Sequence, residues 1–277
     1  MNTMITDWDD AYANGAHIEA AESYPPRWVA AAEQYRREMA ERQQLEADIP
    51  YGERERERFD LFRPQGEPLG LAVFVHGGYW RAFDKSVWSH LAAAAIERGW
   101  ALAMPSYDLA PSVSIAAITR QIGAAIGEAA ARVDGPIRLG GHSAGGHLVT
   151  RMICADSPLA SAVGARLQRV VSISGLHDLR PLLKTKLNDD LRMSEADAAA
   201  ESPALLEPAT GVQVICWVGA DERPEFIRQS ELLANIWTGF GIETSIHIAA
   251  GLHHFNVIDG LADPASPLCG ALLDGSS

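Results

Sequence analysis

Short apolar runs of strand length alternate along most of this chain with longer segments whose apolar positions recur at helical spacing. Leu71 to Val75, Ala101 to Met104, Pro136 to Leu139, Val170 to Ile173, Val212 to Val218 and Thr244 to Ile248 read as strands. Helices are expected over Val87 to Arg98, Ile115 to Val133, Ala144 to Cys154 and Glu225 to Trp237, with a terminal helix after the last strand. Strands that alternate with helices line up in parallel and need cover on both faces. The expected fold is therefore a doubly wound α/β sheet, mostly parallel, with helices on both faces.

Three regions depart from that alternation. Pro26 to Leu45 carries Trp28, Val29, Ala32, Tyr35 and Met39 along one helical face, so residues 1–50 are expected to add a helical segment packed on the body. Glu53 to Phe62 is charged until Phe59, Leu61 and Phe62, which suggests an edge strand, followed by a turn at Pro64, Gly66 and Pro68. Residues 176–208 lack strand signals and hold short helical pieces at Leu179 to Leu187 and Glu195 to Glu201. They follow a strand, so they are expected to form a small cap over the carboxyl edge of the sheet, where ligands gather in such folds. At 277 residues and 47% hydrophobic content, the chain suits one domain spanning 1–277.

Charge narrows the partners. A net charge of -13 argues against nucleic acid and anionic membrane and leaves a small molecule as the expected partner, with a homodimer compatible. Cys154, Cys216 and Cys269 lie far apart in apolar surroundings, so buried free thiols are expected rather than disulfides or a metal site. Met1 to Asp10 is acidic, without a basic leader or an export-length apolar run, which makes a cytoplasmic location the expectation.

The chemistry concentrates at Gly141-His142-Ser143-Ala144-Gly145, which closes a strand and opens a small-residue helix. Gly-x-Ser-x-Gly in that context is a nucleophile elbow, presenting Ser143 on a strained turn. Serine needs a base, and the base needs an orienting carboxylate, which in the α/β-hydrolase order follow in later loops. His253 and His254 stand side by side after the last strand. Both cannot face the serine, and His254, beside Phe255, is the chosen base. For the acid, Glu222 lies three residues after the glycine that ends its strand, with Asp221 as the alternative. His76-Gly77-Gly78-Tyr79-Trp80 suits an oxyanion loop: N–H groups of Gly78, Tyr79 and Ala144 would receive the developing charge, while His76 holds the loop. Tyr79, Trp80, Trp88, Tyr107 and, from the cap, His177 are candidate substrate contacts. No metal or cofactor is required by such a mechanism.

His76-Gly77-Gly78-Tyr79-Trp80 together with Gly141-His142-Ser143-Ala144-Gly145-Gly146-His147 resembles the kynurenine formamidase (arylformamidase) branch of the α/β-hydrolase fold. That branch is marked by His-Gly-Gly-x-Trp, where many related esterases carry a third glycine. Arg223-Pro224-Glu225-Phe226, Arg228-Gln229-Ser230 and His254-Phe255 are similar to its acid and histidine regions, and the likeness runs from about Phe59 to Leu261. It implies a serine hydrolase acting on an aryl formamide such as N-formylkynurenine. The family usually has aspartate where Glu222 stands, which keeps Asp221 in view. A short-chain carboxylesterase or thioesterase uses the same groups. A non-catalytic binding protein on this fold would be expected to lack one of them.

Overall fold

Leu71, Val73 and Val75 enter one apolar layer, whereas Ala72 and Phe74 enter the other. That alternation places their strand at the centre of a sheet covered on both sides. In the computed structural model, which describes residues 4–275, the strands are β1 (Leu45–Pro50), β2 (Arg58–Phe62), β3 (Leu71–Val75), β4 (Ala101–Pro105), β5 (Ile137–His142), β6 (Leu167–Ile173), β7 (Gln213–Gly219) and β8 (Thr244–Ala249). They form one eight-stranded sheet in the order β1-β2-β4-β3-β5-β6-β7-β8. The β1–β2 and β2–β4 pairs are antiparallel and the others parallel.

The helices are α1 (Trp8–Ala11), α2 (Tyr24–Glu41), α3 (Ala93–Glu97), α4 (Ile115–Ala130), α5 (Ala144–Arg151), α6 (Ser161–Gly164), α7 (Leu187–Leu191), α8 (Glu195–Ala200), α9 (Pro224–Thr238) and α10 (Pro267–Leu273). Residues of α4, α5 and α9 share a core with Val73 and Val75, and those of α2, α3 and α10 share one with Phe74. The doubly wound sheet expected from the alternation is thus present, and all three cysteines are buried free thiols. No described helix is long and apolar enough to cross a membrane.

Three expectations need correction. The helix expected to reach Leu45 stops at Glu41, with Pro25 and Pro26 in its first turn, and Val29 of its supposed buried face is exposed. Leu45 instead opens β1, which pairs with β2, so the strand over Glu53 to Phe62 begins at Arg58 and is internal. β1 protects the sheet edge with acidic residues and a register shift between Glu46 and Ile49. The segment expected to be helical over Val87 to Arg98 is a 3-10 helix from Lys85 to Ala92 followed by the short α3.

Candidate active site

Strands β3, β5, β7 and β8 run parallel to their neighbours and end at one edge, with Val75 level with Gly141 and Gly219 level with Ala249. The loops leaving these ends carry the candidate residues, and the β4-β3-β5 order makes this the point where chain connections diverge.

Ser143 directly follows β5 and precedes α5, with φ 56° and ψ -116°, a conformation that few non-glycine residues adopt. Its N–H donates to the Ile173 carbonyl at 2.8 Å, and its own carbonyl accepts from His147 N–H at 3.1 Å. Close approach forces the glycines around it. A Cβ on Gly145 would lie 1.9 Å from the Val75 carbonyl oxygen, and one on Gly141 2.2 Å from that of Gly145. The turn therefore works only because both positions lack a side chain.

The acid and imidazole loops meet. Glu222 Oε2 lies 2.6 Å from His254 Nδ1, while its Oε1 accepts from Gly219 N–H at 2.9 Å and from the Ser174 hydroxyl at 2.5 Å. Both residues are buried, whereas neighbouring Asp221 is exposed. His253 turns the other way, its Nε2 3.0 Å from the Tyr24 hydroxyl. The His254 ring packs against Phe226 and His142, both at 4.6 Å between centroids, with Phe255 further off at 6.3 Å. His142 Nε2 lies 2.9 Å from the His254 carbonyl, and burial holds the His142 pKa well below the usual imidazole value, so it stays neutral and donates.

The loop after β3 turns through Gly78, Tyr79 and Trp80, all at positive φ. His76 fixes its start. The His76 Nδ1–H donates to the Gly77 carbonyl at 2.8 Å, and its ring stacks on Tyr107 at 4.4 Å; burial lowers its pKa to about 4. Tyr107 in turn donates its hydroxyl proton to the His76 carbonyl at 3.0 Å. The N–H groups of Gly78, Tyr79 and Ala144 have no protein acceptor among the described residues. Ala144 adds the positive end of α5 to that arrangement.

A cavity of about 530 Å³ opens above Ser143, His254, Gly77, Gly78 and Tyr79. Its aromatic wall consists of Tyr12, Trp28, Tyr79, Phe83, Trp88 and Phe255. Of the expected contacts, Tyr79 and Trp88 line it. Trp80, Tyr107 and His177 do not, because each is packed beneath the loops. Trp80 meets His147 edge-on at 5.1 Å, Tyr107 stacks on His76, and His177 Nε2 lies 3.3 Å from the Ser172 hydroxyl. The segment 176–208 supplies only Lys186 and Leu187 to the cavity.

The chain before β1 supplies much of the rest: Asp9, Tyr12, Ala13, Asn14, Gly15 and, from α2, Pro25 and Trp28. Sequence reasoning missed α1 and its loop. Tyr12-Ala13-Asn14-Gly15 carries a turn signal, yet nothing in the sequence links it to loops some 200 residues away.

A model of the alpha/beta hydrolase family matches residues 72–264. The kynurenine formamidase of Salmo salar is 29% identical over 228 residues, covering 78% of this chain and 76% of its own. That of Drosophila melanogaster is 26% identical over 284 residues, covering 94% of each chain. A solved structure from Silicibacter sp., of a protein provisionally named a thioesterase, superposes with a TM-score of 0.92 at 52% identity, covering 96% of this chain and 98% of that one.

Proposed function

This chain belongs to the alpha/beta hydrolase family, and from that premise we propose that it is a serine hydrolase cleaving aryl-formamide or ester bonds through an acyl-enzyme, with kynurenine-formamidase-type specificity. The observation that carries this reading is the 2.6 Å contact between Glu222 Oε2 and His254 Nδ1, in a site where His254 and Ser143 share one cavity.

Ser143 Oγ attacks the formyl or acyl carbonyl as His254 Nε2 takes its proton, and Glu222 stabilises the imidazolium through Nδ1–H. The N–H groups of Gly78, Tyr79 and Ala144 receive the developing oxyanion, each contributing about 3 kcal/mol. His254 then passes its proton to the departing amine or alcohol as the carbonyl reforms. Water attacks the acyl-serine, giving a proton to His254. Collapse releases formate or another carboxylate and returns the proton to Ser143.

The formamide preference draws on the kynurenine formamidase names of the Salmo and Drosophila relatives and on an aromatic wall suited to an aryl leaving group. A second reading, an esterase or thioesterase of short acyl groups, draws on the name of the Silicibacter protein. Initial rates with N-formyl-L-kynurenine and p-nitrophenyl acetate, using Ser143→Ala as blank, decide between them. Efficient formamide cleavage supports the first reading, ester cleavage alone the second, and activity surviving in a folded Ser143→Ala protein removes both.

A further inference from the structure

Asn14 is only 6% exposed, yet neither Oδ1 nor Nδ2 of its side chain has a hydrogen-bond partner among the described residues. Its backbone is well held: Asn14 N–H donates to the Tyr12 carbonyl at 3.1 Å, and its carbonyl accepts from His17 N–H at 3.0 Å. The surrounding segment is clamped onto the loops of the site. Tyr12 donates its hydroxyl proton to Glu225 Oε1 at 2.7 Å, Tyr79 donates to the Tyr12 carbonyl at 2.6 Å, and Lys186 N–H donates to Asp9 Oδ1 at 2.7 Å. Arg223 bonds the Asp10 carbonyl at 3.2 Å and pairs with the Asp10 carboxylate. Asn14 is therefore a fixed part of the wall rather than a frayed end.

On one side Asn14 lines the large cavity with Ser143 and His254. On the other it borders, with Glu222, His253 and His254, a small void of about 10 Å³. A primary amide offers two donors and an acceptor, and burying all of them unmet is costly enough that folded proteins keep few such groups. In a cavity wall that cost is offset when a ligand supplies the partners.

We propose that Asn14 is a specificity-determining residue that hydrogen-bonds the leaving-group side of the substrate. Its Oδ1 accepts from a donor and its Nδ2 donates to a carbonyl, so an acyl amide whose leaving group carries both kinds of polar group is favoured over a plain aryl ester. The proposal rests on the serine-hydrolase reading above and extends it to a residue on the segment preceding β1. A site built to bond a polar group discriminates against substrates that lack it, because its own groups are then left unpaired.

Asn14→Leu is close in size and has no side-chain polar atom. The ratio of kcat/KM for N-formyl-L-kynurenine to that for p-nitrophenyl acetate is expected to fall about tenfold, mostly through KM, for the loss of this bonding. The melting temperature is expected to stay level or rise, because an unmet amide has been removed. A structural residue would behave oppositely. Equal losses on both substrates with a lower melting temperature overturn the proposal, as does an unchanged ratio or a wild-type enzyme that cleaves the ester alone. Should the leucine variant not fold, Asn14→Ala is held to the same ratio. Wild-type protein as inactive as Ser143→Ala on both substrates defeats the serine-hydrolase reading itself, and the proposal with it.

Discussion

The Tyr24 hydroxyl lies 3.0 Å from Nε2 of His253, so the first of two adjacent histidines is held by α2 while His254 is held by Glu222. The pair divides its work, and the single variants are expected to differ accordingly. His254→Ala lowers kcat/KM about a thousandfold or more, the scale seen when a triad base is removed. His253→Ala changes kcat/KM less than about tenfold and lowers stability by about 1 kcal/mol through the lost bond to Tyr24. Steady-state kinetics with p-nitrophenyl acetate beside a urea titration tests both. The opposite order of kinetic losses would exchange the two roles.

Glu222 has both carboxylate oxygens engaged, one toward His254 and the other by Gly219 and Ser174, whereas Asp221 faces solvent. Glu222→Gln keeps the shape and removes the charge proposed to stabilise the imidazolium, so kcat is expected to fall about a thousandfold. Asp221→Asn is expected to change it less than about threefold. Measuring the two in parallel checks the assignment, and a larger loss at Asp221 would move the orienting role there.

The parts of this molecule that were legible in the sequence are those whose signal is local. Leu71 to Val75 has the same bounds in sequence and structure, because a buried parallel strand must be apolar at every position. Ser143 was legible because its turn demands glycines two residues to either side. β1 was not: Leu-Glu-Ala-Asp-Ile-Pro has little strand preference, and the ladder to β2 is what holds it extended. The wall around Tyr12 and Asn14 escaped for a related reason. It is assembled by Glu225, Tyr79 and Lys186, whose distance along the chain hides the contacts. Trp80, Tyr107 and His177 were misplaced because an aromatic residue near a sheet edge looks the same in sequence whether it lines a cavity or supports the loop beneath one.

Backbone strain at Ser143 gives a stability prediction that runs against activity. With φ 56° and ψ -116°, the residue sits where a Cβ costs about 1–3 kcal/mol. Ser143→Ala keeps that Cβ and Ser143→Gly removes it. Both are expected to be inactive, with the glycine variant more stable than the alanine variant by about 1 kcal/mol in urea unfolding. The reverse change at the neighbouring turn has no such relief. In Gly145→Ala the new methyl meets the Val75 carbonyl oxygen at 1.9 Å, backbone that cannot rotate away, so a loss of about 3 kcal/mol or failure to fold is expected. A glycine variant no more stable than the alanine variant would mean that the turn is not strained.

Buried imidazoles give the stability a defined pH dependence. Burial lowers the pKa of His76 to about 4 and those of His147 and His177 to about 3, and holds that of His142 well below the usual value. The bonding fits that cause: among the described residues His76 Nε2, His147 Nδ1 and His177 Nδ1 are buried without a partner, so a proton added there would have no acceptor. In the unfolded chain each ring protonates near pH 6.5. The unfolded state therefore binds more protons than the native state between about pH 6.5 and 4, and stability must fall as pH falls through that window. Toward pH 8 the rings become neutral in both states and their contribution to the slope vanishes. By pH 5 the unfolded rings are almost fully protonated while the native ones stay largely neutral, so the loss of stability per pH unit is steepest there. Urea unfolding at pH 8, 7, 6 and 5 is expected to show level stability over the first interval and steep loss over the last. Level stability down to pH 5 would mean that the folded protein accommodates charged imidazoles at these positions, and that His76 does not hold the loop after β3 as a neutral, singly donating ring.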